Sequence, residues 1–193
     1  MRKRKNFKLE MNIEKEIGQD TVLILPDYDE NGCLNSVIYH TDGMIKVESK
    51  PFDLIDTNLR FRGSSMRGAV EGSSAILGKL NKNPVIIDRD KGIILLPSKS
   101  AILDDCVWLS LQHIMECFSL EGNQTKVTLS NGSSIVLAGS KKSIQRRMEK
   151  AYELQFKMEA QKRIFDSGKV VPENTYHLVK QAGQVNYEHL SGE

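Results

Sequence analysis

The chain has little of what marks secreted, membrane-spanning or catalytic proteins. Its three cysteines, Cys33, Cys106 and Cys117, are an odd number with no close pairing pattern, which points to reduced thiols in a cytosol rather than to a disulfide framework. No apolar run approaches the roughly 18 residues that a membrane span needs. The basic start, Met1 to Lys8, leads into alternating charges and not into an apolar signal segment. A cytoplasmic protein with no membrane partner is the expectation. Aromatic residues make up only 6% of the chain and stand mostly at core-like positions, which argues against a barrel surface that stacks single-stranded nucleic acid.

Catalytic patterns are equally sparse. Gly72 and Gly78-Lys79-Leu80 superficially suggest a phosphate-binding loop, but five residues separate the glycines where that loop has four, and Leu80 replaces the magnesium-binding hydroxyl. Cys106, His113 and Cys117 lack the fourth ligand of a structural zinc site. Since His113 and Cys117 share an apolar strand face, a core histidine and a core thiol are the simpler reading. A Cys-His nucleophile fails as well, because neither Cys106 nor Cys117 stands beside a base in sequence. Asp104-Asp105 reads as a turn or strand-entry pair. The expectation is a protein that is not an enzyme, with no cofactor and no metal.

What the chain does have is partitioned charge. Its 193 residues, 39% of them hydrophobic, suit one substantial core with appendages. The net charge of +2 conceals three segments of +5 each, at residues 1–8, 60–99 and 141–163, so the remainder carries −13. Basic surface concentrated in this way is what a polyanion-binding protein presents, although a charge run is more simply a solvated face.

The periodicity predicts an α+β protein, mainly β, built as an antiparallel barrel or curled sheet of hairpins. Residues 1–19 read as a flexible, charged arm. Within 20–140, Val22 to Leu25 and Val37 to Tyr39 flank Asn31-Gly32, and Asp42-Gly43 leads to Met44, Ile45 and Val47. Residues 66–80 predict a short helix weakened by glycines. A strand over Val107 to Phe118 alternates, with Val107, Leu109, Leu111, His113, Met115 and Cys117 facing the core. Asn131-Gly132 marks the strongest hairpin, with Val127 and Leu129 on one side. Over 141–166, Ile144, Met148, Tyr152, Phe156, Ala160 and Ile164 recur every fourth position, predicting one long amphipathic helix. Residues 167–193 form a tail that turns at Gly168 and Pro172.

The most informative stretch is Asp53 to Ser65, which sets Arg60, Phe61 and Arg62 directly before Gly63-Ser64-Ser65. Arg60, Arg62 and Arg67 are the residue types that pair with phosphates or enter a narrow minor groove, and the serines offer close donors. The plainer alternative makes Gly-Ser-Ser a loop capping the next helix. Phe61 is either packed behind the arginines or a wedge at a base step. No helix-turn-helix is evident.

Leu54 to Ser65, Lys82-Asn83-Pro84, Trp108 and Thr128-Leu129-Ser130-Asn131-Gly132, in this order, resemble the competence transcription factor family, ComK, over about Val22 to Val136. The family typically carries an aromatic residue where Arg62 stands and another near Met66. The resemblance implies a transcriptional activator of DNA-uptake genes that binds paired AT-rich boxes of double-stranded DNA through the minor groove. It also implies a cytoplasmic, nucleoid-associated protein that acts as a homo-oligomer and is controlled by an adaptor and Clp protease. On that reading Arg60, Arg62, Ser64, Ser65, Arg67, Lys79 and Lys82 bind DNA, and Lys141, Lys142, Arg146 and Arg147 form a secondary contact beside them. Ile144, Met148, Tyr152 and Phe156 serve either as an oligomer contact or as the helix face that packs on its own chain. The alternatives are a protein-interaction regulator presented to an adaptor or protease without specific DNA binding, and a single-strand nucleic-acid-binding barrel.

Overall fold

A computed structural model describes residues 15–78, 82–167, 175–181 and 184–190, with side chains through residue 163. The chain divides into two compact units, Met1–Lys157 and Met158–Glu193.

The first unit is organised by a six-stranded antiparallel sheet. Three strands, β1 (Thr21–Tyr28), β2 (Leu34–His40) and β3 (Met44–Val47), form a meander. Its first turn is fixed by Asp29, whose Oδ1 accepts from the backbone amides of Asn31 at 2.9 Å and Cys33 at 2.8 Å. Two helices follow, α1 (Pro51–Phe61) and α2 (Met66–Leu77), and then β4 (Val85–Asp88), β5 (Ile93–Pro97) and β6 (Trp108–Ser110). The strand order is β3-β2-β1-β6-β5-β4, so β1 joins the two halves by pairing with β6 through Leu23 and Leu109.

Both faces of this sheet are covered, which explains the uninterrupted apolar run Ile93-Ile94-Leu95-Leu96. Ile24, Ile38, Ile93, Leu95 and Trp108 face Leu54, Ile55 and Leu59 of α1 and Met66 of α2. On the opposite face, Ile94, Leu96 and Leu109 meet a second sheet and the start of the last helix. That sheet has the order β7-β8-β9, made from β7 (Ile114–Leu120), β8 (Gln124–Leu129) and β9 (Ser134–Ala138). Val127, Leu129 and Leu137 point inward from it and join Ile144 and Ala151 of α3 (Lys141–Ser167). Each large side chain removed from water in this way contributes about 1.5–3 kcal/mol. In the second unit β10 (Thr175–Gln181) and β11 (Gln184–Leu190) form an antiparallel hairpin, from Thr175↔Leu190 to Gln181↔Gln184.

The mainly β, antiparallel α+β class, the short helix and the long C-terminal helix match the sequence reading. No barrel closes among the described residues. The strand expected over Val107 to Phe118 is interrupted. After β6 a 3-10 turn over Leu111–His113 carries the chain from the first sheet to the second. Leu109, Leu111, His113 and Cys117 are buried as expected, but Trp108 and Ser110 are fully buried as well and Met115 is exposed, so the alternation is not continuous. The helix α1 is a further departure. Together α1, a four-residue turn and α2 make a helix-turn-helix unit that the sequence does not reveal. Of the arm over 1–19, residues 1–14 lie outside the described residues, and so do Lys79, Gly168 and Pro172. Ile17, in contrast, is completely buried and belongs to the core.

Candidate nucleic-acid interface

The Gly63-Ser64-Ser65 turn is built by backbone hydrogen bonds. Pro51 opens α1 at a position where its missing N–H costs nothing. Past the helix end, Gly63 sits at φ +74°, its amide donates to Arg60 O at 3.0 Å, and the Ser64 amide donates to Leu59 O at 2.9 Å. This pair of bonds is the Schellman arrangement, which places glycine in the left-handed region. Ser65 then caps α2, its Oγ accepting from the Gly68 amide at 3.1 Å. Asp56 braces the turn: its Oδ2 accepts from Arg60 Nε at 2.6 Å and its Oδ1 from the Met66 amide at 2.7 Å. Ser65 is thus occupied by the cap, and Ser64 is exposed.

Each of the three arginines singled out from sequence has an acidic partner. Arg67 Nε meets Glu71 Oε1 at 2.7 Å, and this bond raises its pKa; its side chain is 87% exposed. Arg60, paired with Asp56, is 52% exposed. Arg62 differs in kind. Only 18% exposed, it reaches Glu16 at 2.9 Å, Asp88 at 3.5 Å, Ile17 O at 3.2 Å and Asn58 O at 3.2 Å. It ties the segment before β1, the end of α1 and the end of β4 together. Asn58 completes this junction, accepting from the Ile17 amide at 2.9 Å and donating to Leu54 O and Lys15 O. Sequence reading misses Asn58 and Glu16; of these pairings only the four-residue spacings Asp56–Arg60 and Arg67–Glu71 are visible beforehand. Phe61, at the last turn of α1, is 39% exposed.

Lys82 is exposed at φ +70°. Beside it Asn83 Nδ2 donates to Ser74 Oγ at 2.5 Å, and Ser73 Oγ donates to Pro84 O at 2.8 Å, which docks the Lys82-Asn83-Pro84 turn on α2.

The start of α3 presents the contrasting case. Ser140 Oγ accepts from the Ser143 amide at 3.3 Å. Among the described residues none of Lys141, Lys142 and Arg146 has an ion-pair partner. Three cations in the first turns of a helix oppose its dipole by a few tenths of a kcal/mol each. Arg147 is not part of this group. Half-buried, it donates from Nη1 to Pro97 O at 3.2 Å and Ser98 O at 2.8 Å, and burial holds its pKa below the ordinary value.

The two basic regions do not adjoin. α1 and α2 pack on one face of the six-stranded sheet and the start of α3 on the other. The fourth-residue stripe along α3 also divides. Ile144 and Met148 pack in the core with Ala151, whereas Tyr152 and Phe156 are 50% and 71% exposed. Four residues advance a helix by about 400°, so a strict four-residue repeat drifts about 40° per step and leaves the buried face within two turns. Leu154 takes their place and is fully buried. Cys106 and Cys117 are buried, which raises both thiol pKa values. His113 lies in the interior, its Nε2 donating to Gln19 O and its Nδ1 bonded to Ser130 Oγ, each at 2.6 Å.

The model of the ComK protein family matches residues 13–163. The chain belongs to the ComK family. A Bacillus subtilis (strain 168) protein named "Competence transcription factor" is 31% identical over 133 residues, 69% of each chain. No solved structure matches significantly. The ComK match takes in both sheets, α1, α2 and all of α3 except its last residues, and it leaves out the β10–β11 hairpin. Both basic regions therefore lie inside the ComK segment.

Proposed function

We propose that this ComK family member is a sequence-specific, double-stranded-DNA-binding activator of competence genes that reads paired AT-rich boxes through the minor groove. The observation that carries the reading furthest is the start of α3, where Lys141, Lys142 and Arg146 project without acidic partners among the described residues. Cations left unneutralised by their own fold are the ones whose pairing with phosphate costs no existing bond, and counterion release from DNA then favours binding. Similarity to a Bacillus subtilis competence transcription factor supports the regulatory half of the reading.

Arg60 and Arg67 supply the groove-reading arginines. Their surface pairs with Asp56 and Glu71 are the four-residue helix kind, worth about 0.3–0.5 kcal/mol, and exchange readily for the deep negative potential of a narrowed minor groove. Ser64 and Lys82 add phosphate contacts that set register without reading bases. Arg62 has no such freedom. Because the two basic regions lie on opposite sides of the sheet, they engage separate stretches of duplex, an arrangement suited to a bent or paired site.

The test is binding of the purified chain to duplexes with paired AT-rich boxes and to a GC-rich control, with Lys141→Ala/Lys142→Ala/Arg146→Ala and Arg60→Ala/Arg67→Ala alongside. Loss of affinity for all duplexes in the first variant and loss of AT preference in the second are the expected results. Equal, weak binding to every duplex by the unmutated chain would overturn the reading.

A further inference from the structure

The residues between β5 and β6 form a braced loop with an apolar tip. Its neck is closed by Ser98 and Val107: the Ser98 amide donates to Val107 O at 2.8 Å, and the Val107 amide donates to Ser98 Oγ at 2.9 Å. Two successive turns shape the rest, the Leu103 amide donating to Ser100 O and the Cys106 amide to Leu103 O, each at 3.0 Å. Ala101 and the buried Cys106 hold the loop to the core. Ile102 and Leu103 instead face water, 78% and 49% exposed, and Ile102 is the most exposed large apolar side chain among the described residues. A single exposed aliphatic residue needs no explanation, but two in succession on a loop this firmly tied are displayed by the fold.

The surroundings of the loop indicate what its tip meets. α3 runs along β5 in the opposite direction: Arg147 donates to Pro97 O and Ser98 O at the end of β5, and the Gln155 side chain lies against Gly92, just before its beginning. Residues 141–146, which rise about 9 Å along the helix, therefore extend past the end of the sheet from which the loop projects. Lys141, Lys142 and Arg146, which have no ion-pair partner among the described residues, thus stand at the same end as Ile102 and Leu103. The acids of the loop do not cancel this charge, because each has a lysine of its own: Asp105 pairs with Lys99, and Asp104 with Lys50 at 3.7 Å. An apolar tip beside unpaired cations is complementary to a duplex. The cations hold phosphates while the aliphatic pair enters the base stack, as in minor-groove proteins that unstack a base step.

We infer that Ile102 and Leu103 form a wedge that opens a base step in the minor groove of the duplex held by Lys141, Lys142 and Arg146. TA steps, which unstack readily, are its targets within AT-rich DNA. The wedge rests on the minor-groove reading of this chain and adds to it a contact that selects a sequence by its deformability rather than by hydrogen bonds to its bases.

The test uses the full chain and duplexes with paired AT-rich boxes in which 2-aminopurine, which brightens on unstacking, replaces the adenine of each TA step in turn. A rise in fluorescence at one or more steps is expected on binding. Ile102→Ser/Leu103→Ser should remove the rise and lower affinity for the AT-rich duplex about 10-fold or more, with binding to a GC-rich control and the melting temperature unchanged. Ile102→Met/Leu103→Met should keep the rise, since methionine also serves as an apolar wedge. AT-selective binding by the unmutated chain without any rise, or a rise that the serine pair keeps, would overturn the wedge while the DNA-binding reading stands, and would leave the tip to a protein partner. Equal, weak binding of the unmutated chain to every duplex would overturn both.

Discussion

Arg62 Nη2 donates to Glu16 Oε1 at 2.9 Å, across 46 positions of sequence, and so fixes the segment entering β1 against the end of α1. Asp88 lies on its other side at 3.5 Å, itself only 19% exposed. Replacing Arg62 with alanine leaves that carboxylate without its cation, and a loss of about 2–4 kcal/mol is expected in urea unfolding. Arg62→Lys should recover less than half, because an ammonium cannot reproduce the fork that also serves Ile17 O and Asn58 O.

Gly63 holds the left-handed position of the α1 cap, and a Cβ there meets nothing within 4 Å. The cost of Gly63→Ala is therefore conformational only, about 1 kcal/mol. Gly63→Val should cost more through its branched side chain; comparison of the two unfolding curves checks this.

The two basic regions should separate in salt titrations. Removing Lys141, Lys142 and Arg146 should flatten the slope of log affinity against log salt by roughly 2–3. Removing Arg60 and Arg67 should change discrimination between AT-rich and GC-rich duplexes more than it changes the slope.

Trp108, the only tryptophan, is fully buried beneath α1 and α2, and its indole N–H has no hydrogen-bond partner among the described residues. Trp108→Ala should destabilise by about 3–5 kcal/mol. Trp108→Phe should cost well under half of that, since it also removes an unpaired polar group. Both are measurable by circular dichroism.

Glu153 accepts from Lys150 at 2.6 Å and from Lys157 at 2.7 Å. These hydrogen bonds pull its pKa from 4.5 to about 2. A carboxylate whose pKa is depressed on folding contributes stability above its unfolded value and loses it as pH falls through the folded one. The melting temperature of Glu153→Gln should thus lie below that of the unmutated chain at neutral pH, and the gap should narrow between pH 4.5 and about 2.

Much of the fold is legible in the sequence because its signals are local. Asn31-Gly32 and Asn131-Gly132 place their turns, Val127 and Leu129 show the buried side of β8, and Ser65 reads correctly as a cap in the plainer of two alternatives. The helix α1 is not legible, because Arg60 and Arg62 beside Gly63 look like a charged loop and mask the Leu54, Ile55, Asn58 and Leu59 face that is buried. The change of sheet after Ser110 is not legible either. Residues alternate in the same way whether a strand continues or breaks at a single turn. In α3 the repeat is real, yet its drift decides which half is core and which half is surface.

The sequence alone determined the mainly β class, the long last helix, the hairpin turns, the family and the concentration of basic residues in a few segments, since each depends on residues close together along the chain. The tertiary structure alone decided which cations remain available. A charge has its sign in the sequence, but its pairing requires an opposite charge within about 4 Å. Folding brings Glu16 and Asp88 to Arg62 and brings no acid among the described residues to Lys141, Lys142 or Arg146.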